Sequence, residues 1–248
     1  MFYTRIPCPG WVGHEPDYLN KATRYFPLIG WLVGAIGFAV LWGSMQLWPI
    51  SIAVLLSIAA MVLTTGAFHE DGFADACDGF GGGWTKEKIL AIMKDSRIGA
   101  YGAIGVVLLL LTKYAVMVQL AFAGIHWYWL LLVLVTVHAL ARLTAISVSF
   151  VLPYAREDME AKAKPIAQSF SWKEVAGAFC FGLLPYAVVA SRHWYYWAIL
   201  LPLLVLHIWA VRYFKKWLGG YTGDCLGAVE QVAELVIMLS FVAIWKFI

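Results

Sequence analysis

Apolar residues gather into seven stretches, at about 25–48, 50–68, 99–123, 127–150, 174–191, 194–214 and 227–247. A helix needs about 20 apolar residues to cross a hydrocarbon core of about 30 Å. The pattern therefore predicts an all-α fold, a polytopic integral membrane bundle of about seven transmembrane helices. The second and fifth stretches are short for a full crossing. Short turns join the first two spans near Trp48-Pro49, the third and fourth near Gly124, and the fifth and sixth near His193. The other connections are long and polar. No Ser/Pro/Gly-rich linker divides the chain, so residues 1–248 read as one membrane-embedded domain with active-site loops.

Composition agrees with this reading. The chain is 62% apolar and 13% charged, where soluble domains hold about 45–50% and about 25%. Lys and Arg fix the orientation. The N-terminal segment and loops 69–98, 153–173 and 212–226 hold 14 of them, from Arg5 to Lys216, whereas the opposite face holds only Arg192 and Lys246. A split of that size places the long loops in the cytoplasm and the protein in a bacterial inner membrane. Trp48, Trp127, Trp129, Trp194 and Trp197 cluster at the bare end, as an interfacial aromatic belt does. The stretch Met1–Pro7 has no signal-peptide pattern, so insertion is expected to rely on internal helices. Cys8, Cys77, Cys180 and Cys225 form no CxxC pair and are expected as reduced thiols. No nucleic-acid partner is expected.

The densest chemical signal follows the second span: His69-Glu70-Asp71-Gly72-Phe73-Ala74-Asp75-Ala76-Cys77-Asp78-Gly79. Asp71, Asp75 and Asp78 stand at i, i+4 and i+7 and share one face of a helix. Carboxylates stacked this way repel one another unless a cation lies among them. An all-oxygen set suits Mg²⁺ or Mn²⁺ better than zinc. The bland alternative is an acidic loop in water, which three acids at helical spacing in so acid-poor a chain make the weaker reading.

Further elements share that face. Gly79–Gly83 either cradles a phosphate with backbone N–H groups or forms a flexible hairpin. Lys94-Asp95-Ser96-Arg97 stands at the mouth of the third span, where Arg97 clamps phosphate or anchors the interface by snorkelling. Arg156 offers a second clamp or anchor. Gly219-Gly220-Tyr221-Thr222-Gly223-Asp224 supplies oxygen and backbone donors or forms a tight turn. Inside the bilayer, Lys113, His138 and Arg142 need partners. Lys113 must face the bundle, and Glu230 and Glu234 on the last span need partners, for which either Arg142 or a substrate group serves. His138 and His207 read as packed helix residues.

Five motifs in order carry a resemblance: Thr4-Arg5-Ile6-Pro7-Cys8-Pro9, Tyr25–Gly30, the 69–79 run, Ile92–Gly99 and Gly219–Asp224. Together they resemble the cobalamin synthase family (adenosylcobinamide-GDP ribazoletransferase), over residues 4 to about 235. The resemblance implies transfer of α-ribazole, or its 5′-phosphate, to adenosylcobinamide-GDP with release of GMP, the last assembly step of vitamin B12. It implies Mg²⁺ as cofactor, with Asp71, Asp75 and Asp78 as metal ligands. Catalytic roles fall to His69, Asp71, Asp75 and Asp78. Substrate binding falls to Lys94, Asp95, Ser96, Arg97, Arg156, Thr222, Gly223 and Asp224. The partners implied are the corrinoid nucleotide, α-ribazole and the lipid bilayer, and the membrane setting admits other cobalamin-assembly enzymes.

The base that takes the proton of the attacking ribose hydroxyl is expected to be one of the aspartates or His69, whose ordinary pKa suits the role; His69 equally suits orienting the aspartates. The chain departs from the family pattern twice. Only Met1-Phe2-Tyr3 precede the first motif, and Glu160–Pro165 is more basic than usual. A CDP-alcohol phosphatidyltransferase also uses clustered aspartates, but its DG-x₂-AR pattern is absent after Asp71. A corrinoid or cation transporter is the rival from another class, disfavoured because polar groups crowd one face.

Overall fold

The computed structural model describes residues 3–7, 21–124, 126–156 and 170–247. Cys8 and Pro9 of the first motif and the basic run Glu160–Pro165 lie outside the described residues. After a 3₁₀ turn at Thr23–Tyr25, nine α-helices follow among the described residues. They are α1 (Phe26–Met45), α2 (Ile50–Thr65), α3 (Phe68–Gly82), α4 (Lys86–Lys94), α5 (Ala100–Phe122), α6 (Trp127–Ser149), α7 (Trp172–Ala190), α8 (Leu200–Leu218) and α9 (Gly223–Phe247). A second 3₁₀ turn, Trp194–Ile199, leads into α8.

Six of these helices, counting each 3₁₀ turn with the helix it enters, are long and apolar enough to cross a membrane. The seventh expected span behaves differently. Helix α2 has 16 residues, about 24 Å of rise, and passes as a span only together with α3, from which it is bent by 87°. What the sequence pattern presents as a span followed by a polar loop is thus a short span followed by a helix turned across its axis.

Helix α6 is the central post. From Leu130 onward most of its residues are buried. Helix α1 lies close against it, since a Cβ on Gly34 would come within 2.7 Å of the Leu134 carbonyl oxygen. Helices α7 and α9 pack on its other sides, and Leu134, Leu140, Ile146, Tyr186, Ile237 and Phe241 fill the interior. Helix α5 turns Ile104, Leu108 and Leu111 outward, a row at helical spacing that suits lipid. Of the tryptophans expected to form an aromatic belt, Trp48, Trp127, Trp194 and Trp197 are exposed. Arg192, a cation of the bare face, sits 5.7 Å over the Trp129 ring.

Candidate active site

The site starts at the elbow between α2 and α3. Gly66 and Ala67 both take left-handed backbone, at φ of 70° and 59°. The Ala67 N–H donates to the Val62 carbonyl at 2.9 Å and the Gly66 N–H to Leu63 at 3.3 Å, which closes α2 in the manner of a C-terminal cap. Glycine takes this conformation freely; alanine does so at a steric cost, so the elbow is held in a strained turn. Arg5 braces it. Its N–H donates to the Thr64 carbonyl at 2.9 Å, and its side chain lies where a Cβ on Gly66 would be, 2.5 Å from Nε. The Tyr3 ring rests on Phe26 at 4.6 Å. The N-terminal motif therefore has a structural task at the elbow.

The elbow aims α3 at the start of α9. Gly72 is buried, and a Cβ there would come within 3.1 Å of the Asp224 Cα; a Cβ on Gly227 would come within 3.3 Å of the Gly72 Cα. Two glycines face to face let the helices approach at backbone distance, which brings Asp71 and Asp75 of α3 to Asp224 of α9. The charge coupling is plain in Asp75, whose pKa is raised to about 7, first by burial and then by Asp224, Asp71 and Asp78, with Arg156 opposing. Asp71 is exposed, Asp75 half-buried and Asp78 buried.

Asp78 has a further task. Its Oδ2 accepts from the Gly99 N–H at 2.7 Å and its Oδ1 from the Gly102 N–H at 2.8 Å, so it caps the N-terminus of α5 from across the fold. This ties the 95–99 segment to α3. Ser96 and Arg97 are exposed on that segment, and Lys94, the last residue of α4, is exposed just before it. Asp95 grips Arg97 through Nε at 3.0 Å and Nη2 at 2.6 Å, which holds the Asp95 carboxyl at about 2.

The last loop meets the third through a two-bond bridge, Ala155 N–H to the Tyr221 carbonyl at 2.8 Å and Tyr221 N–H to Pro153 at 2.9 Å. It sets Arg156 beside Asp224, with Nη2 2.8 Å from Oδ2. Thr222 is fully buried, and its hydroxyl accepts from the Cys225 N–H at 3.2 Å, the geometry of a helix N-cap. The cap explains why α9 starts at Gly223, earlier than the 227 expected from apolarity, and why Asp224 belongs to a helix rather than a turn.

Two expectations need correction. Gly79, Gly81 and Gly82 are neither a hairpin nor a cradle: they belong to α3, whose amides bond within the helix, and Gly79 and Gly81 make room for Met93 and Tyr101. His69 does not sit among the aspartates as a near-neutral base. It occupies the buried side of α3, with Nδ1 3.8 Å from Glu230 and its ring 5.8 Å from that of Phe26. Burial, followed by Arg142, pushes its pKa well below the usual imidazole range.

Behind His69 lies a polar cluster fully enclosed by the bundle. Arg142 faces inward as expected, with Nη1 2.8 Å from Glu230 Oε1 and 3.5 Å from Glu234 Oε1. Lys113 Nζ donates to Glu234 at 2.7 Å and to Gln231 at 2.8 Å, and His138 bonds Glu234. Among the described residues, His138, Glu230 and Glu234 are the group whose ligand atoms all lie within 4.8 Å of one another, tighter than the aspartates. Arg142 and Lys113 already neutralise them. Gln231 and Glu70 are members that charge spacing did not reveal. The unpaired Lys113 in an apolar span was the available signal. His207 bonds Ser147 at 2.9 Å beside an apolar cavity of about 590 Å³ lined by Leu143, Leu183 and Leu203, which holds none of the aspartates.

The model of the family described as cobalamin-5-phosphate synthase matches residues 1–242. Adenosylcobinamide-GDP ribazoletransferase of Leptothrix cholodnii is 42% identical over 256 residues, covering 99% of this chain and 94% of that one. The proteins of the same name from Ralstonia nicotianae and Leptospira biflexa are 45% and 39% identical, each over 98% of this chain and over 92% and 93% of their own length. No solved structure matches the chain.

Proposed function

This chain belongs to the cobalamin-5-phosphate synthase family, and from that premise we propose a Mg²⁺-dependent transfer at the α3–α9 crossing, in which α-ribazole or its 5′-phosphate replaces GMP on adenosylcobinamide-GDP. The observation that carries the siting is the Gly72–Gly227 contact, which brings Asp71 and Asp75 to Asp224; burial first, and then Asp224, Asp71 and Asp78, raise the Asp75 carboxyl to about 7. Mg²⁺ takes only one or two carboxylates and completes its shell with water and phosphate oxygens. Asp71 and Asp75, with Asp224 beside them, fit that need without converging tightly. Asp78, whose two oxygens already accept amide bonds, retains lone pairs toward the same group. When bound, the ion would offset charge on the pyrophosphate and the leaving group.

The chain's own residues do the rest. Arg156, Lys94 at the end of α4 and Arg97 on the segment tied to Asp78 orient phosphates. The attacking ribose hydroxyl forms its bond to the cobinamide-side phosphorus as the bond to the GMP oxygen breaks. GMP leaves with that electron pair, and the hydroxyl proton passes to an aspartate. An aspartate at the crossing is better placed for the base role than the enclosed His69.

The family assignment leaves the phosphatidyltransferase and transporter readings without support. We place the protein in the bacterial inner membrane with this site in the cytoplasm, on the 14-to-2 split of basic residues. Cysteines at Ser96 and Lys173 should resist an impermeant thiol reagent in intact cells, and strong labelling of either would overturn the orientation. The function is tested with purified protein in nanodiscs, given adenosylcobinamide-GDP and α-ribazole phosphate, with GMP and corrinoids followed by chromatography. Matched release of GMP and nucleotide-looped product is expected. Absence of GMP release with both substrates present would refute it.

A further inference from the structure

The polar cluster behind the aspartates reaches the first turn of α3 at Glu70, beside His69. Glu70, next to Asp71 in the first turn of α3, accepts a hydrogen bond from Gln231 Nε2 at 3.2 Å. Gln231 is buried in α9, where its Oε1 accepts from Lys113 Nζ of α5 at 2.8 Å and its amide also donates to Glu230 at 2.9 Å. Lys113 is itself 4.0 Å from Glu70 and paired with Glu234 at 2.7 Å. One amide thus joins three helices, α3, α5 and α9. It lies about two turns along α9 from Asp224, directly behind the Gly72–Gly227 crossing.

That crossing is tight but lacks interlocking side chains, since glycines face each other there. Helix α3 also follows a strained elbow. Something must fix its rotation and depth, and the hydrogen-bonded tie through Glu70 acts at its first turn, beside the enclosed His69. A buried amide that satisfies both a carboxylate and an ammonium is held by geometry on each side and tolerates little displacement.

We infer that Gln231, anchored by Lys113, is a positioning residue that latches the first turn of α3 to α9 and so sets Asp71 and Asp75 against Asp224. The inference rests on the proposed metal role of those aspartates.

The test compares Gln231→Leu with Glu70→Leu, which cuts the same contact from the α3 side and leaves the Lys113–Glu234 pair intact should the first variant fold poorly. Two readouts are taken: Mn²⁺ affinity by electron paramagnetic resonance, and hydrogen exchange of residues 68–75. Both variants should lose Mn²⁺ affinity about tenfold and exchange 68–75 about tenfold faster, with exchange in α6 unchanged. In turnover, kcat should fall while KM for the corrinoid stays within about twofold, a split that general loss of fold does not produce. Wild-type Mn²⁺ affinity and wild-type exchange in both variants would overturn the latch. If wild type and Asp71→Asn bind Mn²⁺ equally poorly, the metal reading fails by itself. The exchange data then decide the latch: faster exchange in the variants supports it and unchanged exchange refutes it.

Discussion

Replacing Asp75 by Asn separates the carboxylate's electrostatic cost from its use. In the metal-free protein its pKa is raised to about 7 from 3.8, by burial first and then by the neighbouring aspartates. The folded state therefore holds a proton that the unfolded chain has released between about pH 4 and 7, so stability falls as pH rises through that window. Below about pH 4 the carboxyl is protonated in both states and the substitution should change little. Above pH 7 Asn removes the repulsion; with the partial exposure of Asp75 discounting the shift, the gain is about 1–2 kcal/mol. The metal reverses the preference. A ligand with pKa near 7 is about one-tenth ionised at pH 6 and about nine-tenths at pH 8, so wild-type Mg²⁺ affinity should rise about tenfold across that range. The Asn variant should bind weakly at both pH values. Thermal unfolding in detergent with chelator, and calorimetric Mg²⁺ titration at pH 6 and 8, measure both effects. A metal-free Asn variant no more stable than wild type at pH 8, together with a pH-independent wild-type affinity, would refute the reasoning.

Asp78 should behave in the opposite sense: Asp78→Ala leaves the Gly99 and Gly102 N–H groups unpaired and should cost about 2–4 kcal/mol, read as a lower melting temperature even with chelator present. Gly72→Ala puts a methyl 3.1 Å from the Asp224 backbone and should lower Mg²⁺ affinity at least several-fold with little change in expression, since backbone must move on one side. Arg142→Leu strands Glu230 inside the bundle and should destabilise by about 3–5 kcal/mol. Arg142→Leu combined with Glu230→Gln should recover much of that in the same melting assay.

How far the sequence reaches is best seen residue by residue. Span positions were legible because apolar runs are long and lipid demands them, and the inward turn of Arg142 and Lys113 followed from the cost of a charge facing lipid. The helical face of Asp71, Asp75 and Asp78 followed from periodicity. Periodicity says which side chains share a face, but not which neighbour covers them. It therefore missed that His69, two residues from Asp71, is enclosed, and that Asp78 caps α5. The elbow was hidden because Ala67, which carries no turn signal, takes a left-handed backbone. Hydropathy also set the start of the last span too late, since Thr222, Gly223 and Asp224 are polar yet belong to the cap and first turn of α9. The Gln231 tie depends on three helices meeting, which no single stretch of sequence displays.

The central claim is that the aspartates at the α3–α9 crossing hold the metal that the transfer requires. Its most direct test is GMP release from adenosylcobinamide-GDP with α-ribazole phosphate at saturating substrates, titrated with Mg²⁺ for wild type, Asp71→Asn and Asp75→Asn in nanodiscs. The account predicts no release by wild type in chelator and saturable activation by Mg²⁺. In each Asn variant it predicts activation shifted to much higher Mg²⁺ or abolished, with the protein still folded. Full wild-type turnover in chelator, or normal turnover of both variants at limiting Mg²⁺, would contradict it.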